Sequence, residues 1–292
     1  MIDIETPLLT TPEKAELYRN ALDMLNRSGV PYMVGGTYAF QYYAGIARST
    51  KDFDIFVRPR DVQRVLDVLE RAGFKTEMAF AHWLAKAHHA DKFIDVIFSS
   101  GNAVAEVDDE WFAHAVDEQV LGASVRLCPA EEMIWSKSMI MERERYDGAD
   151  VAHLFRHCSG LLNWERLLQR FGSNWRVLLG HLILFGFIYP GERALIPSAV
   201  IKELLNRLLA ELDVPTRDSK VCQGTLLSRA QYLVDIDEWG YEDARMRPRG
   251  EVPRPAAGRR GSPHQRRATT RRQPRPWRSG RPSDPEEAAR VP

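Results

Sequence analysis

Apolar positions along the first part of the chain switch between helical and strand spacing. Leu17, Ala21, Leu22 and Leu25 recur at helical intervals behind Thr10-Thr11-Pro12-Glu13, a capping-box spacing with proline near the first helical position, and Ser28-Gly29 ends the pattern. Tyr32-Met33-Val34 is a short apolar run bounded by Pro31 and Gly35-Gly36, and Tyr38 to Ala44 reads as a helix entered directly from that strand. Phe53 to Val57 predicts a strand closed by Pro59. Val62, Val65, Leu66 and Leu69 then mark an amphipathic helix ending at Ala72-Gly73. Lys75 to Phe80, Trp83 to His89 and Phe93 to Phe98 predict three further strands, the last apolar on both faces as inside a sheet.

Beyond Gly101 the period lengthens. Val120 to Leu127 predicts one more strand, and Cys128-Pro129 leads into helices over 130–143, 147–158, 164–171, 174–188 and 197–212. The pattern therefore divides into an α/β part over 1–127, a helical part over 128–244 and a tail over 245–292. The longest apolar run, Val177 to Tyr189, is 13 residues and holds Gly180, His181 and Gly186. It is short of the roughly 20 residues of a spanning helix, so it reads as a core helix with no membrane partner.

Charge sharpens the division. Lys+Arg and Asp+Glu balance at 40 each, but the tail holds 14 Arg, no Lys, four acids and nine of the 17 prolines. It carries about +10 and has almost nothing to bury against its ordering entropy, so a disordered basic segment is expected. Two readings stay open for it: an arm that neutralises RNA phosphates, or out-of-frame translation of GC-rich DNA. The acidic start of the chain lacks the basic and apolar regions of a signal peptide, which predicts a cytoplasmic protein. Cys128, Cys158 and Cys222 lie far apart without a CxxC pair, which argues for reduced structural thiols.

Candidate chemistry gathers in the first part. Asp52 and Asp54 are two apart on a predicted strand, so their carboxylates leave the same face and can converge on one divalent cation. Asp95 interrupts a strongly apolar strand, where an ionised carboxylate is costly unless paired or metal-bound. Oxygen-only ligation suits Mg²⁺, whose remaining ligands are commonly water and substrate phosphates. Gly35 and Gly36 let backbone N–H groups approach a phosphate at a helix N-terminus, and Thr37 adds a hydroxyl. Taken singly, Gly-Gly is a tight turn and Asp-x-Asp a solvated strand end. Their order along the chain, with the third Asp, is what points to function.

Val34-Gly35-Gly36-Thr37, Asp52-Phe53-Asp54-Ile55 and Asp95 together resemble the signature of the nucleotidyltransferase superfamily, whose fold is that of DNA polymerase beta. Arg48 and Thr50 before the acidic pair make the local sequence most similar to the bacterial AbiEii-like, toxin-type branch, although 15 residues separate Gly36 from Asp52, more than that pattern usually has. Lys137, Arg143, Arg145, Tyr146, Asp147 and Asp150 are similar to the helical pattern that follows the catalytic domain there. The resemblance implies a mixed β-sheet flanked by helices and a Mg²⁺-dependent, NTP-consuming enzyme, ATP-binding among other possibilities, with Asp52, Asp54 and Asp95 holding two ions. It implies that Asp95 serves as base, that Gly35, Gly36 and Thr37 cradle the triphosphate, and that Lys137 and Arg48 contact phosphate. An inter-loop salt bridge is the other reading of Arg48, and Asp147 and Asp150 either orient Lys137 or Arg143 or cap the next helix. The acceptor would be a hydroxyl of RNA, protein or a small molecule. The alternative is a non-catalytic binding module of a toxin–antitoxin pair, with an antitoxin partner.

Other features have plainer readings. His153 and His157 have metal-ligand spacing but no HExxH glutamate between them, which favours a surface pair. His82, His88 and His89 flank Trp83 in a predicted hairpin and read as strand-edge residues. Trp111, Trp135, Trp164, Trp175 and Trp239 are spaced like core anchors of the helical part.

Overall fold

The computed structural model describes residues 11–215 and 219–246, which fall in a compact unit, Met1–Arg249. The tail expected to be disordered lies, from residue 247 on, outside the described residues. Helix α1 (Pro12–Ser28) is capped by Thr11, whose hydroxyl accepts the Lys14 N–H, and Gly29 closes it in the left-handed region at φ 67°. The cap is thus one residue later than the capping-box spacing suggests. Proline fixes the first helical position and biases its predecessor to extended backbone, so Thr11 has no other place.

Seven strands form one mixed sheet in the order β3-β4-β5-β2-β1-β9-β8. β1 is Met33–Val34, followed by α2 (Gly36–Ala44); β2 is Asp52–Phe56, followed by α3 (Val62–Arg71); and β3 (Lys75–Phe80), β4 (Leu84–His89) and β5 (Lys92–Ile97) form an antiparallel meander. β5 returns parallel to β2, and β1 runs antiparallel to β2. Beyond β5 come the short pair β6 (Ser99–Ser100) and β7 (Ala105–Glu106) and helix α4 (Asp109–Ala113). The single strand expected over 120–127 is a hairpin of β8 (Val116–Val120) and β9 (Ala123–Leu127). Its two-residue turn is Leu121-Gly122, both at positive φ as a type I′ turn needs. A leucine in the left-handed region is a poor turn signal, which is why the sequence hides the break.

Because side chains alternate across a strand, Phe53 and Ile55 leave one face of β2 while Asp52, Asp54 and Phe56 leave the other. On the first face Phe53 and Ile55 join Ile94, Val96, Ala85 and Ala87, all buried, with the Tyr18 ring of α1 4.9 Å and the Tyr38 ring of α2 4.7 Å from that of Phe53. Each such apolar side chain contributes roughly 1.5–3 kcal/mol on burial, ample to fix the strand's register. On the second face Phe56 is covered by Trp111 at 5.4 Å. A one-residue slip would exchange the aspartates with the core residues, so the packing of Phe53 and Ile55 dictates where the carboxylates point.

The helical part comprises α5 (Ala130–Ser138), α6 (Gly148–Cys158), α7 (Trp164–Phe171), α8 (Trp175–Ile188) and α9 (Ser198–Leu212), with a short β10 (Val221–Cys222), α10 (Leu233–Asp237) and β11 (Glu242–Asp243) after it. The helix expected over 130–143 stops at Ser138, and after the buried Met139 and Ile140 the polar run from Glu142 turns back in a bridge between Met141 and Tyr146. That run holds no apolar stripe for a helix to bury. α8 is not the enclosed core helix expected: Leu178, Leu182 and Phe185 are buried, but Ile183 and Phe187 are 61% and 82% exposed. Read through its 3₁₀ turn at Gly172–Asn174, Trp164–Ile188 is long and apolar enough to cross a membrane by length and composition alone, and 39% of its apolar window is buried. The three cysteines are free and buried. Among the tryptophans, Trp111, Trp135 and Trp175 are core residues, Trp111 under the sheet rather than in the helical part, while Trp239 is 59% exposed.

Candidate active site

The site begins at the turn between β1 and α2. Gly35 donates its N–H to the Asp54 carbonyl at 3.0 Å, tying the turn to β2. Gly36 sits at φ 53°, and a Cβ there would overlap Asp54 Oδ2, so glycine is required for two reasons: its backbone sign and the carboxylate lying against it. The close approach of Asp54 was not visible in the sequence, where Gly35-Gly36 reads as a tight turn or a place for phosphate. Thr37 is the second residue of α2.

Parallel pairing of β2 and β5 puts Asp54 directly beside Asp95, and Asp52 lies one same-face position earlier. Carboxylate oxygens of Asp52, Asp54 and Asp95 come within 4.8 Å of one another. Their surroundings differ. Asp52 accepts the Thr50 hydroxyl, and Thr50 is in turn held through its carbonyl by Lys14 Nζ at 2.7 Å. Asp95 takes Lys86 Nζ at 2.7 Å from the adjacent strand. Burial pushes the Asp54 carboxyl up to about 7, with the Asp52 and Asp95 charges adding to the rise and Lys137 and Arg145 opposing it. Burial likewise raises Asp95 despite Lys86. Three oxygen donors whose charges repel one another are the donor set of a hard divalent cation, so these residues fit Mg²⁺.

A second charged cluster stands beside the first. Lys137 Nζ bonds Asp147 at 3.1 Å and Asp150 at 2.8 Å, and Arg48 bonds the other Asp150 oxygen at 2.6 Å. The Phe40 ring of α2 lies under both cations, 4.4 Å from the Arg48 guanidinium and 5.9 Å from Lys137 Nζ. Burial works against the Asp150 charge, but Lys137 and Arg48 outweigh it and hold the carboxyl below its usual range. Of the two readings of Arg48, the structure therefore displays the salt bridge. Asp147 and Asp150 orient Lys137, and neither Arg143, which pairs with Glu144, nor a side-chain cap of α6 claims them. The ammonium keeps one N–H beyond its two carboxylate bonds. His157 Nδ1 meets the His153 carbonyl at 3.0 Å, so this pair is not arranged as a metal site. Lys86 is the residue the sequence reading missed. The two-residue turn at Ala90-Asp91 sets the register that brings Lys86 opposite Asp95.

Residues 14–178 match the family model described as "Uncharacterised nucleotidyltransferase". The chain belongs to this family of nucleotidyltransferases. It is accordingly a transferase enzyme, and the family implies a nucleoside triphosphate substrate and transfer of its nucleoside monophosphate part. Among solved structures, the nucleotidyltransferase is similar to the antibiotic-resistance factor ANT(2″)-Ia, with 16% identity over 58% of this chain and 96% of that one and a TM-score of 0.43. It is similar to a lincosamide antibiotic adenylyltransferase bound to lincomycin, with 17% identity, 50% and 96% coverage and a TM-score of 0.36. An antigenic nucleotidyltransferase-like protein from Paracoccidioides brasiliensis shows 15% identity, 66% and 99% coverage and a TM-score of 0.41. No curated protein matches the chain.

Proposed function

We propose that this nucleotidyltransferase moves a nucleoside monophosphate from an NTP such as ATP to an acceptor hydroxyl, with pyrophosphate leaving, and that it does so with Mg²⁺ held by Asp52, Asp54 and Asp95. The observation that carries the reading is the convergence of three carboxylates beside the start of α2. Bound there, Mg²⁺, as two ions, would neutralise the triphosphate and stabilise the attacking and leaving oxygens. The chain's own groups do the rest. Gly36 and Thr37 at the start of α2 offer N–H and hydroxyl donors to phosphate oxygens, favoured by the helix dipole, while Gly35, whose own N–H is taken by the Asp54 carbonyl, sets the turn that presents them. Lys137, fixed by Asp147 and Asp150, presents its remaining N–H as a point charge to phosphate, and Arg48 lies behind it, spanning to Asp150. Asp95, raised by burial, accepts the proton of the acceptor hydroxyl.

In this reading residues 1–127 are the catalytic part and 128–244 the helical part that supplies Lys137. The acceptor is a hydroxyl of RNA, protein or a small molecule, and the toxin-type branch, an antitoxin partner and a cytoplasmic site rest on the sequence alone. The test is transfer of α-labelled triphosphate in Mg²⁺ to each acceptor pool, by wild type and by Asp52→Ala plus Asp54→Ala. Because metal ligation is worth several kcal/mol in the transition state, label transfer is expected to fall by roughly a thousandfold or more in the double variant. Triphosphate binding without transfer by the wild type would instead identify the non-catalytic module.

A further inference from the structure

Lys86 approaches the three carboxylates from the neighbouring strand. It sits on β4 directly opposite Asp95 in the antiparallel register with β5, and its Nζ lies 2.7 Å from Asp95 Oδ1 and 4.4 Å from the centre of the Phe93 ring. Both side chains are largely covered, 24% and 14% exposed, so the pair is not a casual surface contact. Glu77, across from Lys86 on β3, pairs with His88 instead at 3.0 Å. Lys137 and Arg145, whose charges also reach the carboxylates, are turned to Asp147 and Asp150, and Lys14 to the Thr50 carbonyl. Among the described residues, direct contact with the three carboxylates is thus made by one lysine. Their combined charge matches one divalent ion, not two.

We infer that Lys86 is a positioning residue of the reaction: by holding Asp95 it keeps that carboxylate from a cation until nucleotide arrives, so that the nucleotide-free site takes a single ion through Asp52 and Asp54. This rests on the metal-site reading above. The triphosphate brings the additional negative charge that a second ion needs, and only then is exchange of Lys86 for metal at Asp95 favourable. Lys86 therefore makes the second ion conditional on substrate.

The experiment is calorimetric titration of the metal-free full chain with Mn²⁺ in the absence of nucleotide, with ion stoichiometry counted by electron paramagnetic resonance. Wild type and Lys86→Arg are expected to take one ion with similar affinity. Lys86→Met is expected to bind Mn²⁺ roughly tenfold more tightly, about 1.4 kcal/mol, and adding Asp95→Asn is expected to cancel that gain, since the two residues act as a coupled pair. Lys86→Gln gives the same comparison should Lys86→Met not fold. Equal affinity in Lys86→Met, Lys86→Gln and wild type, or two ions in nucleotide-free wild type, overturns the inference while leaving the metal site standing. Undiminished Mn²⁺ binding by Asp52→Asn plus Asp54→Asn would show instead that the metal-site reading itself is wrong.

Discussion

Two partly buried charge clusters in this nucleotidyltransferase are built on opposite principles. Around α5 and α7, Glu132 takes Arg166 and, at 2.7 Å, Arg170; Arg170 also bonds Asp108 at 2.7 and 2.8 Å, and Arg166 bonds Glu131 at 3.0 Å. Every carboxylate there contacts a guanidinium, three anions on two cations, and this contact-matched network closes the junction between helices. At Asp52, Asp54 and Asp95, three carboxylates within 4.8 Å share one contacting lysine. A matched cluster is complete within the chain, whereas an unmatched one is stable only with something the chain does not supply. Burial and charge alone do not distinguish structure from function; the missing counter-charge does.

The contrast can be broken most forcefully at the matched cluster. Glu132→Ala leaves the buried Arg166 without its nearest carboxylate and is expected to cost about 3–5 kcal/mol in chemical denaturation. A smaller loss would mean that the cluster is not held together by charge matching. At the unmatched cluster the sign reverses. Asp54 has a folded-state value of about 7 against an ordinary 3.8, so the native state binds the proton more tightly, and metal-free stability should fall as pH rises between about 4 and 7. Asp54→Asn removes that slope. Measured in chelator at about pH 5 and pH 8, wild type is expected to lose roughly 2–4 kcal/mol more than the variant, on a scale of 1.36 kcal/mol per unit. Parallel curves would mean that Asp54 is not under strain.

A smaller effect is expected at the turn. Gly36→Ala places a Cβ at φ 53° against Asp54 Oδ2, which should cost about 1–3 kcal/mol in thermal unfolding and displace a proposed metal ligand. A fully active, fully stable Gly36→Ala protein would exclude that close approach. Smallest of all is Arg48→Ala. Its side chain is 40% exposed, so the pair with Asp150 is worth at most about 1 kcal/mol to stability. If Arg48 serves only as that bridge, KM for the triphosphate stays unchanged; a rise in KM restores the phosphate contact that the resemblance implied.

Much of the architecture was legible because its signals are local. The helix stop at Gly29, the strand–turn–helix at Val34-Gly35-Gly36, and the parity of Asp52 and Asp54 all follow from propensity and period. The β8–β9 turn escaped because Leu121 takes a conformation its side chain disfavours. The exposed face of α8 escaped because a run apolar on all sides does not reveal which side is covered. Lys86 was missed for a related reason. An isolated lysine in an alternating strand carries no message until its cross-strand partner is known.

The sequence by itself determined which groups this protein has to work with: two carboxylates on one strand face, a third inside an apolar strand, and a glycine pair ahead of a helix. These follow from covalent spacing and the two-residue period of a strand. Only the tertiary structure decided how the groups are paired. Parallel register put Asp54 beside Asp95, antiparallel register put Lys86 against Asp95, and packing of α5 and α2 on α6 committed Asp150 to both Lys137 and Arg48. Electrostatic energy depends on separation in space, and separation along the chain does not record it.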